Sequence, residues 1–93
     1  MGYNHSDYKE MSYTDTEASY EIGTVYGSLF RAESILFLAT TVCFVRLNSS
    51  AGVQHLIPAG DYIGFDRKCV MIYVERVTVN GTLSIWAEGD ILR

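Results

Sequence analysis

Ninety-three residues, 48% of them apolar and 19% charged, describe one small globular domain with a lightly charged surface and exclude a disordered chain. The net charge of −4 argues against a nucleic-acid binder, because beyond the adjacent Arg67 and Lys68 no stretch concentrates cations. The most apolar stretch, residues 35–47, contains Thr40, Thr41 and Arg46 and is too short to cross a bilayer as a helix, so no membrane contact is expected.

The acidity sits at the front of the chain. Within residues 1–21, Asp7, Glu10, Asp15, Glu17 and Glu21 face Lys9 alone, and from residue 22 onward acids and bases balance. This start is polar and lacks the basic and then apolar run of a secretory leader. Residues 1–18 show neither a helical nor a strand-like apolar period. Tyr3, Tyr8 and Tyr13 recur every five residues, a spacing that fits no single face of a helix or strand. The expectation is an extended N-terminal arm over residues 1–18, ordered by docking on another polypeptide. Tyr3, Tyr8, Tyr13 and the following Tyr20 are its contact residues, since tyrosine offers a large contact area at low rotamer cost.

Residues 19–93 read as strands and turns, the β-sandwich domain proper. Tyr20, Ile22, Val25 and Tyr26 surround Gly23. Residues 28–40 are denser, with Leu29, Phe30 and the run Ile35-Leu36-Phe37-Leu38; Ala32-Glu33-Ser34 has some helix-forming character, which the β-rich flanks outweigh. In residues 41–47, Cys43, Val45 and Leu47 point one way and Val42, Phe44 and Arg46 the other. A loop at residues 48–52 leads to a short strand over 53–57, ended by Pro58-Ala59-Gly60-Asp61. Residues 62–65 form another short strand. Residues 69–77 alternate clearly, with Val70, Ile72 and Val74 against Met71, Tyr73 and Glu75. Asn80-Gly81 is the strongest turn signal and predicts a type I′ hairpin. The last strand sets Leu83, Ile85 and Ala87 against Ser84, Trp86 and Glu88. About seven short strands at this spacing predict an all-β fold: a small antiparallel β-sandwich, jelly-roll-like, or a barrel, carrying the N-terminal arm.

Few residues point to chemistry. Cys43 and Cys69 are few for a secreted domain of this size and read as two free, buried thiols, with a single bridge between them as the alternative. His5 and His55 have no partner at zinc-ligand spacing. Neither a nucleophile elbow nor a phosphate-binding glycine loop occurs. Asp61 with Asp66, and Glu88 with Asp90, are the acid pairs; at strand ends they read as solvated turn residues. No catalytic residue, cofactor or metal is expected, and the chain reads as a protein that binds and assembles. If the Asn80-Gly81 hairpin lays its two strands side by side, Tyr73, Met71 and Trp86 form one outward apolar face suited to a protein contact.

Four segments carry a resemblance. Val45-Arg46-Leu47-Asn48-Ser49, Leu56-Ile57-Pro58-Ala59-Gly60, Ile72-Tyr73-Val74 and Gly81-Thr82-Leu83-Ser84-Ile85-Trp86-Ala87-Glu88-Gly89 resemble small virion proteins of tailed bacteriophages. The resemblance covers about residues 42–89. It implies a structural component of the particle: a capsid decoration or cement protein that bridges major capsid subunits from outside. The implied partners are the major capsid protein and other copies of the chain, as a trimer or, alternatively, a dimer. The implied location is the virion surface after synthesis in the host cytoplasm. A tail or neck component and a carbohydrate-binding module for host adhesion are the alternatives.

Overall fold

The computed structural model describes residues 5–91. They form eight strands: β1 (His5–Tyr13), β2 (Ala18–Glu21), β3 (Phe30–Ala39), β4 (Cys43–Leu47), β5 (His55–Ile57), β6 (Tyr62–Phe65), β7 (Met71–Arg76) and β8 (Gly81–Ile91). A 3-10 turn over Thr24–Leu29 links β2 to β3. The strands build two antiparallel sheets, in the orders β1-β8-β3-β6 and β2-β7-β4-β5. Every connection except β4 to β5 crosses from one sheet to the other. That order is the eight-stranded jelly roll, one of the two architectures expected from the strand pattern.

Period-2 alternation makes the two inner faces. From the first sheet, Phe30, Ile35, Phe37, Leu83 and Ile85 are buried; from the second, Cys43, Val45, Ile57, Ile72 and Val74. Ile22 and Cys69 close the gap from the connections. No polar or charged side chain is fully buried among the described residues. Each large side chain sunk in this core contributes roughly 1.5–3 kcal/mol. β3 carries a bulge between Ala32 and Ser34. There Glu33 drops out of the β8 register, while Ala32, still opposite Gly89, exchanges backbone hydrogen bonds with Cys69 of the β6–β7 connection at 3.0 and 2.9 Å. The stretch with some helical character is therefore strand, as its flanks required.

Two expectations are corrected. The described part of the N-terminal arm is β1, paired with β8 from His5 opposite Gly89 to Tyr13 opposite Gly81. Met11 and Tyr13 lie in the core. The boundary at residue 18 thus falls inside one sandwich. The pattern hid β1 because its inward row reads His5, Asp7, Lys9, Met11, Tyr13, which is polar over its first half. Those polar side chains stand at the rim between the sheets, where they find partners: Lys9 lies 5.5 Å from the centre of the Tyr20 ring.

The second correction concerns Asn80-Gly81. β7 and β8 belong to different sheets, so this connection is a crossover and not a hairpin. Neither residue has a positive φ; among the described residues only Asn48, Gly23 and Gly60 do. Gly81 serves a close approach instead. A Cβ there would collide with Thr41 Oγ1 and with the Tyr13 hydroxyl, which accepts from Thr41 N at 3.1 Å and donates to Thr41 O at 2.6 Å.

Candidate functional site: an aromatic sheet face

The outer face of the β1-β8-β3-β6 sheet is built by the parity of its strands. With Met11 and Tyr13 inward, Tyr8 and Glu10 of β1 point out. With Leu83, Ile85 and Ala87 inward, Ser84, Trp86 and Glu88 of β8 point out. β3 turns Ile35 and Phe37 inward and so presents Leu36 and Leu38. β6 presents Tyr62 and Gly64. Strand pairing sets these residues in two rows, Tyr8–Trp86–Leu36–Gly64 and Glu10–Ser84–Leu38–Tyr62.

The rings close over the rows. Trp86 meets Tyr8 at 5.2 Å between centroids, tilted by 42°, and meets Tyr62 at 5.9 Å, tilted by 45°. Tyr62 stands two strands from Trp86 and one row along, so the two rings meet over β3. Gly64 leaves the first row without a side chain at the β6 end. The result is an apolar, aromatic surface: Tyr62 is 62% exposed and Tyr8 50%. Such a patch on a small domain is a candidate contact surface. Its rim is acidic. Glu10 Oε1 accepts from the Tyr8 hydroxyl at 2.9 Å, and Glu88 and Asp90 follow Trp86 on the same face of β8. Arg31, opposite Asp90, is engaged by Glu33 at 3.5 Å.

The expected contact residues separate. Tyr3 lies outside the described residues. Tyr8 and Trp86 come together on this face. Tyr13 is buried and unavailable to a partner. Tyr20 is half-buried and donates to Asp7 Oδ2 at 2.5 Å. Burial first, and then that bond, push its phenol up to about 12. Tyr73 points out from the other sheet, so it does not share a face with Trp86. Around it, Arg46 pairs with Glu17 at 3.1 Å and with Glu75 at 3.4 Å. The reason is the crossover after β7: the two strands expected to lie side by side sit on opposite sides of the sandwich.

Tyr62, Leu36, Leu38, Glu10 and Glu88 complete the face, and sequence reasoning did not single them out as contacts. One signal pointed to two of them. The unbroken run Ile35-Leu36-Phe37-Leu38 makes both faces of its strand apolar, and only one can be core.

The thiols, acids and imidazoles stay apart. Cys43 and Cys69 are free and buried, and burial pushes both thiols up to about 11. The Cys69 thiol donates to Met71 O at 3.2 Å. Asp61 and Asp66 flank β6 at its opposite ends, roughly 17 Å of strand apart. His55 packs on Phe65 at 4.9 Å, with Nε2 3.5 Å from Arg67 Nη1. Among the described residues, no three His, Cys, Asp or Glu side chains converge as a metal site, and no helix is long and apolar enough to cross a membrane.

Comparison of the chain with protein-family models, with curated proteins and with solved structures gives no match.

Proposed function

We propose that this chain is a structural protein of a bacteriophage virion, a decoration protein that sits on the outside of the capsid and bridges major capsid subunits through its aromatic sheet face. The observation that carries the reading is Trp86 held between Tyr8 and Tyr62 on the open side of a rigid sheet. Large aromatic side chains are the usual anchors of a protein interface. A strand face holds them in fixed positions, so little side-chain entropy is lost on docking. The tilt between the rings favours a shaped protein contact over the flat stacking platform of a sugar module.

The four segments that resemble phage virion proteins support the virion reading. They sit on β4, β5, β7 and β8 and so contribute to both sheets. With β1 in the sandwich, the bridging role passes from the arm to the sheet face. Self-association, as a trimer or a dimer, would use the opposite face. There Tyr73, Met71 and Phe44 lie beside Arg46 and Glu75, and both signs of charge suit a contact between identical copies.

The test is binding of the purified protein to shells assembled from major capsid protein alone. Co-sedimentation that is lost in Trp86→Ala and reduced in Tyr62→Ser, with the thermal transition kept, supports the proposal. Gold label found along the tail or at one vertex of the particle would move the protein to the tail or neck. Binding on a glycan array, with none to shells, would replace this reading by the adhesion module.

A further inference from the structure

We infer that the aromatic face receives a basic segment of its protein partner, with an arginine side chain laid against Trp86 and Tyr62 and paired with Glu10 or Glu88. This rests on reading the face as the contact surface, and it adds the chemistry of what docks there.

The argument is charge complementarity on an aromatic floor. Of the Lys and Arg residues in β1, β3, β6 and β8, Lys9 lies over the Tyr20 ring and Arg31 is bonded to Glu33. Glu10 and Glu88 thus flank the rings on either side of the Tyr8–Trp86 row, at positions two residues from Tyr8 and Trp86 on the same face. Tyr8 already orients the Glu10 carboxylate through its hydroxyl. A guanidinium is the group that satisfies both features at once. Its plane stacks on an aromatic face, and its fork of donors meets a carboxylate. A second copy docked face to face would bring acidic rim against acidic rim. An acidic segment would meet the same repulsion.

Trp86 is the only tryptophan in the chain, so its fluorescence reports on this face without a label. The full chain is titrated with a short peptide alternating glycine and arginine, and with the matching lysine, leucine and aspartate peptides. The expected result is a saturable change with the arginine peptide at the lowest concentration, weaker with lysine and absent with leucine and aspartate. Raised salt should weaken it. Glu10→Gln with Glu88→Gln should weaken it roughly two- to tenfold, from two exposed ion pairs. Tyr62→Leu should weaken it about two- to fivefold, from one exposed ring. Equal response to the leucine or aspartate peptide, no response to the arginine peptide, or Trp86 emission that changes only with protein concentration would overturn the inference.

The two proposals fail separately. Shell binding that depends on Trp86 but ignores salt and the Glu10→Gln, Glu88→Gln pair sinks the basic partner and keeps the decoration role. Arginine-peptide binding without shell binding does the reverse.

Discussion

Asp7 and Tyr20 join the two sheets at the rim of the sandwich: the Tyr20 hydroxyl donates to Asp7 Oδ2 at 2.5 Å, and the same oxygen accepts from Gly23 N at 2.6 Å. β1 has a neighbour on one side only, so this carboxylate fastens its free edge to the turn after β2. Asp7→Ala removes both acceptor contacts and should cost about 1–3 kcal/mol. In a domain of this size that lowers Tm by roughly 4–8 °C per kcal/mol. Tyr20→Phe should cost less, since Gly23 keeps its acceptor. Chemical denaturation of both variants and the double variant checks the coupling.

The same contact sets a pH dependence at the alkaline end. The Tyr20 phenol ordinarily ionises near 10.0 and in the fold is pushed up to about 12, by burial and then by Asp7. A raised folded value means the native state holds the proton more tightly. The stabilisation is therefore complete below pH 10 and is lost as pH rises through 10 toward about 12. Stability measured across that window should fall more steeply for the wild type than for Tyr20→Phe.

Deleting residues 1–13 tests the place of β1. An arm would come away and leave the fold intact. Here the deletion strips Met11 and Tyr13 from the core and exposes the whole edge of β8, so cooperative unfolding should disappear. Far-ultraviolet circular dichroism through a thermal scan reads the outcome. A truncated chain that melts as sharply as the full one would refute the pairing of β1 with β8.

Gly81→Ala should destabilise the protein even though Gly81 has an ordinary φ. The added methyl meets Thr41 Oγ1 and the Tyr13 hydroxyl, and overpacking of this kind costs about 1–3 kcal/mol. Pairing it with Tyr13→Phe should recover part of the loss, because one of the colliding atoms is gone. A double-mutant cycle by urea denaturation measures that recovery.

Cys43 and Cys69 should be inert in the native protein. Burial holds both thiols up to about 11, far above neutral pH, so little thiolate forms where a reagent could find it. Labelling by a maleimide near neutral pH should proceed only as fast as the protein opens. It should accelerate in step with Asp7→Ala or any other destabilising change.

Much of this fold was legible in the pattern of side chains. The alternation in Cys43–Leu47, Met71–Arg76 and Leu83–Ala87 set the inner face of three strands before any pairing was known, because side chains on a strand must point to opposite sides in turn. Trp86 was outward by the same rule, and the all-β class followed from the number and spacing of such runs. β1 escaped, because a rim strand fills its inward row with Asp7 and Lys9, whose partners, Tyr20 and Gly23, lie across the rim in β2 and the turn after it. Parity also says nothing about which strands lie side by side. Asn80-Gly81 carried a local preference for a hairpin, and the tertiary structure overrode it: β8 pairs with β1 and β3 while β7 pairs with β2 and β4, so the two strands lie in opposite sheets. That placement separated Tyr73 from Trp86 and brought Tyr8, Leu36 and Tyr62 to the indole from three other strands. Sequence alone therefore determined the class of fold and the outward side of each clear strand. Only long-range pairing, which depends on contacts between residues far apart in the chain, decided which outward residues make a surface together.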